Sequence, residues 1–165
     1  MPYKKKSWTE KLHDAKDLPK VVTIGTKMQK RWGTHNGDTC AIAAPIEIDA
    51  LMKQIPKGKL TTINDLRLAI ARKHQATIGC PITTGIFAWI AAHAAEESAT
   101  TSKSKTKSSK ITPYWRTLKN NGELNPKYPG GIPALTQKLR AEGHKIETRG
   151  KRTFVLNFQE KLQTL

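Results

Sequence analysis

The chain has 165 residues, with 29 lysines and arginines against 13 aspartates and glutamates, a formal net charge of +16 and a pI near 10.0. Such an excess points to an anionic partner, nucleic acid first, through phosphate neutralisation and counterion release. No apolar run or amphipathic basic helix is long enough to favour a membrane. The apolar fraction of 37% suffices for one domain with an appendage. Two cysteines, Cys40 and Cys80, are too few for a disulfide scaffold, and no Cys/His cluster has zinc spacing. No metal and no cofactor is therefore expected, and a reducing cytoplasm fits. The opening Met-Pro-Tyr-Lys-Lys-Lys-Ser-Trp is basic without an apolar core behind it, unlike a secretory signal.

Residues 1–44 read as a basic N-terminal arm in which lysines outnumber Glu10, Asp14 and Asp17. Trp8 and Leu12, four apart, suit one helical turn laid on the main body, and Trp32 suits a second tether. A solvated tail is the competing reading. Residues 45–158 read as the domain proper. Pro45 to Gln54 predicts a helix with Ile48, Leu51 and Met52 on one side, stopped by the Pro56/Gly58 segment. Thr62 and Asp65 form a capping box for a helix carrying Leu66, Ala69 and Ile70. Pro81 suits the first position of the next helix, which is small and apolar onward. A short helix, a connector and this second helix suggest a helix-turn-helix variant whose first turn, Thr83, Thr84 and Gly85, would meet DNA. The plain alternative is a buried core helix, and Phe87, Trp89 and Ile90 require part of it to be one.

Ser98 to Lys110 is a low-complexity Ser/Lys/Thr stretch that predicts a flexible basic loop. Ile111 to Leu118 is the densest aromatic–basic cluster, and Asn120-Asn121-Gly122 signals a turn. A helix from Ile132 has Leu135 and Leu139 inward and stops at Gly143. Lys145 to Thr148, a turn at Arg149-Gly150, and Thr153 to Phe158 alternate as a hairpin, wing-like after a helix-turn-helix. Arg149, Lys151 and Arg152 charge its tip, and residues 159–165 form a tail. The fold class expected is mostly α with a small β-hairpin.

With these parts in order, Ile46 to Lys145 resembles the catalytic, DNA-binding domain of the alkylguanine–DNA alkyltransferases, the methylated-DNA–protein cysteine methyltransferase family. It is also similar to their non-enzymatic relatives, the alkyltransferase-like proteins. The matching pieces are Ile-Pro-Lys-Gly-Lys-Leu-Thr-Thr (55–62), Asn-Asp-Leu (64–66), the Pro81 helix, Thr-Pro-Tyr-Trp-Arg-Thr-Leu (112–118), Asn-Gly-Glu-Leu (121–124), Tyr-Pro-Gly-Gly (128–131) and Lys-Leu-Arg-Ala-Glu-Gly (138–143). The resemblance implies a winged helix-turn-helix-like domain on double-stranded DNA, a flipped alkylated base as ligand, and DNA-repair proteins as partners. In the family a cysteine in Pro-Cys-His-Arg takes the alkyl group, activated by the His and a Glu. Here that segment is Pro113-Tyr114-Trp115-Arg116, with only Arg116 and Glu142 retained. A phenol of pKa about 10 with no base beside it is a poor acceptor, so no catalytic residue is assigned.

Two further positions depart from the family. Its stack-inserting Arg aligns with Gly85, for which Arg72, Lys73 or His74 could substitute from the connector, and its Thr-Thr-Tyr reads Thr61-Thr62-Ile63. The DNA-binding set expected is Thr62, Ile63, Arg72, Lys73, Thr83, Thr84, Gly85, Arg149 and Lys151. The base pocket expected is Tyr114, Trp115, Arg116 and Tyr128, with the two adjacent aromatics either stacking on an extruded base or filling the vacated site. Three functions compete: a non-catalytic sensor of alkylated or distorted DNA, a suicide alkyltransferase using Cys80, and a winged-helix regulator or nucleoid-type binder with no lesion preference. Cys80 and His93 both read more simply as structural residues.

Overall fold

A computed structural model describes residues 2–101 and 111–165. Among the described residues the fold is mostly helical, with three small sheets. The first helix, α1 (Trp8–His13), starts at a Ser7/Glu10 capping box. It is held from outside by Glu97, whose carboxylate accepts from the Trp8 and Thr9 amides and the Thr9 hydroxyl. β1 (Lys20–Thr23), α2 (Thr26–Trp32) and β2 (Thr39–Ile42) follow. α3 (Pro45–Lys53) places Ile48 and Met52 in the core. β3 (Thr61–Thr62) leads into α4 (Ile63–Lys73), capped by Thr62 and Asp65 in both directions.

β4 (Ile78–Gly79) is the middle of the connector to α5 (Thr83–Thr101), a 19-residue helix. Beyond 111, a single 3₁₀ turn (Tyr114–Arg116) runs into β5 (Thr117–Leu118), then α6 (Gly131–Ala141) and a hairpin of β6 (Ile146–Arg149) and β7 (Arg152–Val155). A last 3₁₀ turn, Phe158–Lys161, ends beside Leu60, whose amide and carbonyl pair with Lys161 and Gln163.

Several expectations change. Residues 1–44 are not an arm outside the domain. β2 is the centre of a sheet ordered β1-β2-β4, antiparallel to β1 and parallel to β4, so the N-terminal segment is hydrogen-bonded to the connector between α4 and α5. Its apolar residues are too scattered in sequence to read as a core. Once folded, Ile24, Met28, Trp32, Cys40 and Ile42 gather with Ile78 and Cys80 into a second small core. α5 begins at Thr83 rather than Pro81, and continues through Ser98 to Thr101, four residues into the predicted loop; the remainder of that loop, 102–110, lies outside the described residues. The hairpin turns at Gly150-Lys151, and Phe158 belongs to the 3₁₀ turn, not to the strand.

The main core is formed by α3, α4, the inner face of α5, Tyr114, Leu118, Leu124 and α6. α4 and the connector approach closely at Gly79, where a Cβ would lie 2.3 Å from the Arg67 carbonyl oxygen. Only glycine lets β4 pass there, and Arg67 Nε then donates to the Gly79 carbonyl at 3.0 Å. This packing sets the angle at which the first turn of α5 leaves the body.

Candidate nucleic-acid interface

The Tyr-Trp-Arg turn is built around one carboxylate. Glu142, closing α6, accepts from Arg116 Nε at 2.8 Å, from the Gly58 amide at 2.9 Å and from the Trp115 indole N–H. Arg116 also donates to the Ile55 carbonyl at 2.6 Å. Burial pushes the Glu142 carboxyl up, but the Arg116 guanidinium, the Gly58 amide and the indole together hold it below the usual carboxylate range. Trp115 thus keeps the donor half of a histidine's work and lacks the lone pair that would make it a base.

Tyr114 is 2% exposed, its ring edge-on to Trp115 at 5.3 Å and to Tyr128 at 6.1 Å. Its hydroxyl donates to Glu96 of α5 at 3.2 Å. Burial, then the charge of Glu96 and that hydrogen bond, push the phenol above its ordinary value. Tyr128 is 3% exposed and is raised by burial alone. Of the expected base pocket, Tyr114 and Tyr128 are buried, while Trp115 and Arg116 are partly exposed, with Lys138 Nζ lying 4.7 Å over the Trp115 ring. Tyr114 thus packs edge-on to both neighbouring rings, a favoured aromatic geometry.

The expected DNA-contact residues separate into groups. The Thr62 hydroxyl is spent on Asp65, and Ile63 packs against the main core. Arg72 donates to the Leu165 carbonyl, and Lys73 pairs with Glu47 at 2.6 Å beside His74. Both cations sit at the C-terminal end of an 11-residue helix, about 15 Å from Thr62 at 1.5 Å per residue. Arg149 is exposed but tied to Glu147 at 2.7 Å and laid over Phe154, while Lys151 points to solvent from the hairpin turn.

At the first turn of α5, Thr84 is 2% exposed and its hydroxyl donates back to the Cys80 carbonyl at 2.7 Å, so it caps backbone and does not face outward. Thr83 remains half-exposed, and its amide donates to Cys80 Sγ at 3.5 Å. A hydrogen bond from Cys40 and those of the Thr83 turn lower the Cys80 thiol while Cys40 is raised, yet both are free thiols buried in the small core. Gly85 has nothing within 4 Å of where a Cβ would stand.

Residues to which the sequence assigned no functional role complete this surface. Ile82 and Ile86 are 48% and 46% exposed. With Gly85, Trp89, Asn125 and Lys127 they line a cleft of about 410 Å³. Trp89 Nε1 and His93 Nε2 both donate to the Lys127 carbonyl, at 3.2 and 3.1 Å, which fixes the far wall to α5. Trp8 of α1 stacks on His93 at 4.5 Å and meets Trp89 edge-on at 4.8 Å, buttressing the cleft from behind. The signal was there, an apolar repeat at 82, 86 and 89, but it does not by itself say whether the stripe faces in or out. Among the described residues no group of three His, Cys, Asp or Glu side chains could hold a metal ion, and no helix is long and apolar enough to cross a membrane.

No family model and no curated protein matches the sequence. Among solved structures, S. pombe Atl1 in complex with damaged DNA containing O6-carboxymethylguanine is similar at 16% identity, over 73% of this chain and 94% of that chain, with a TM-score of 0.49. S. pombe ATL in complex with DNA is similar at 17% identity over the same shares, with a TM-score of 0.50. The chain has the alkyltransferase-like fold.

Proposed function

We propose that this protein binds duplex DNA without carrying out chemistry on it, and senses alkylated or distorted sites through the first two turns of α5. One contrast carries the reading: the residue aligned with the family's acceptor is a buried tyrosine, Tyr114, while the start of α5 offers an open face beside a cleft. The net charge of +16 supplies attraction to phosphates. On α2, which packs Met28 and Trp32 near Cys80 just before α5, Lys27, Lys30 and Arg31 are exposed and extend the basic surface. The fold shared with a protein solved in complex with DNA supports DNA as partner. The sequence resemblance to the alkyltransferase-like proteins extends this to lesions, which the complex would mark for repair proteins.

Fluorescence anisotropy with plain and O6-alkylguanine duplexes over a salt series tests this. The expected slope of log K against log salt is steep, roughly −0.9 per phosphate neutralised, with tighter binding to the alkylated duplex. Equal affinity for both duplexes would leave a binder without lesion preference, and affinity indifferent to salt would remove DNA altogether. Intact mass after incubation with alkylated duplex should not change. An added alkyl group on Cys80 would install the suicide-transfer alternative, against which that thiol's 5% exposure stands.

A further inference from the structure

The short helix α2 has two unlike faces. Met28 and Trp32 pack with Cys40 and Cys80 in the small core, and Gln29 donates to the Ile24 carbonyl at 2.9 Å. Lys27, Lys30 and Arg31, at i, i+3 and i+4, are all exposed. Other cations have carboxylate partners: Lys20 has Asp17, Lys73 has Glu47 and Arg149 has Glu147. Among the described residues no ion pair engages the three on α2. Residues 18–37 hold no Asp or Glu, and the carboxylate of Asp38 accepts from the His35 amide at 2.7 Å. Like charges three and four residues apart repel along a helix. The helix dipole offsets this for Lys30 and Arg31 in the last turn, but it disfavours a cation in the first turn, where Lys27 stands. The row is therefore under repulsion in the free protein, and a bound polyanion relieves it.

Resting on the reading that the protein docks on duplex DNA, we propose that Lys27, Lys30 and Arg31 form a second docking element that grips consecutive phosphates of one strand. The chemistry of the face selects this partner. Its apolar residues, Met28 and Trp32, are turned to the core, so the row offers charge alone and nothing to insert into a lipid surface. One helical turn rises about 5.4 Å, and each DNA strand carries a phosphate about every 3.4 Å of axis. The row thus spans roughly two or three phosphates. It is also fixed to α5, because Met28 and Trp32 pack with Cys80, whose Sγ accepts the Thr83 amide at 3.5 Å. α2 lies outside Ile46 to Lys145, the span that resembles the alkyltransferases, so its contacts are additional to those the resemblance implies. Phosphate contacts position a protein without reading a base. The row therefore raises affinity for plain and alkylated duplex alike and leaves lesion preference to other elements.

The test uses the full chain and labelled plain and O6-alkylguanine duplexes over a salt series. Lys27→Gln, Lys30→Gln and Arg31→Gln together should make the slope of log K against log salt shallower by about two to three, at roughly 0.9 per contact. Affinity near physiological salt should fall about tenfold or more, by the same factor for both duplexes. The melting temperature should hold or rise slightly, because repulsion along α2 is relieved. Lys27→Arg with Lys30→Arg should keep the wild-type slope. A charge-matched control, Lys57→Gln with Lys145→Gln and Lys161→Gln, should move the slope by less than one. An equal shift in that control would reduce the row to net charge and overturn it. A triple α2 variant with wild-type slope and affinity also overturns the row, as does a loss confined to the alkylated duplex, and both leave docking through α5 standing. Wild-type protein that binds neither duplex overturns both readings. Wild-type binding to phosphatidylserine vesicles that the α2 variant loses, with duplex binding unchanged, would assign the row to a lipid surface instead.

Discussion

The Glu142 cluster and the first turns of α5 face opposite physical situations. Around Glu142 polar groups are answered by partners: a guanidinium, an indole N–H and a backbone amide converge on one carboxylate, and Tyr114 packs edge-on to Trp115 and Tyr128. At α5 two isoleucines and an unfilled glycine position are left open beside a cleft. The first region is internally satisfied structure. The second has the exposed apolar surface that a finished monomer avoids. Substitutions in the two regions should therefore separate stability from binding.

The largest effect should come from Glu142→Ala. It leaves Arg116 with only the Ile55 carbonyl, and the Trp115 indole and the Gly58 amide without an acceptor; removing one partner of a fully buried pair costs about 3–5 kcal/mol, the upper bound for this part-buried one. Chemical denaturation should show that loss, with duplex affinity per folded molecule unchanged; a weakened affinity would place Glu142 in the interface after all. Tyr114→Ala should cost a similar amount, of order 3–5 kcal/mol, by leaving a cavity among Trp115 and Tyr128. Tyr114→Phe should cost only about 1 kcal/mol, for the bond to Glu96. If instead Tyr114→Ala spared the melting temperature and erased lesion preference, the ring would be a base platform and the contrast between the regions would collapse.

Gly85→Arg addresses the surface directly. The position is open and needs no positive φ, so the fold should be indifferent. One added phosphate contact would steepen the salt slope by about 0.9, and tighter binding at low salt would place this turn at the DNA. The same slope and affinity as wild type would move the interface elsewhere.

Smaller effects come from pH. Burial lowers the His144 pKa, and its Nε2 has no partner in the interior. The unfolded chain therefore binds the proton better than the folded one. Stability from the neutral imidazole is present above the unfolded value, about 6.5, and is lost as pH falls toward the folded one. Glu142 is also depressed. Its contribution is present above the unfolded value of about 4.3 and is lost as pH falls through the folded pKa. Melting temperature should thus decline in two stages on acidification, and His144→Gln should remove the upper one. A single step in both proteins would assign the acid sensitivity to Glu142 alone.

Local rules were legible wherever a residue's role depends on near neighbours in sequence. The Thr62/Asp65 capping box, the inward Ile48, Met52, Leu135 and Leu139, and the hairpin after Gly143 all follow from spacings of two to four residues. The mostly α class with its small hairpin followed from the same periodicities. What required the tertiary structure was everything joined across long separations. Trp8 and Thr9 meet Glu97, Cys40 pairs in register with Ile78, and Arg116 meets Glu142. The N-terminal segment looked like an arm because each of its apolar residues is isolated along the chain, and only the β2–β4 ladder gathers them. The direction in which 82, 86 and 89 point was equally undecided, because a helical repeat of apolar residues fixes a face and not what covers it. Thr62 and Thr84 show the converse. Their hydroxyls suit phosphates by type, but burial and nearer acceptors had already claimed them.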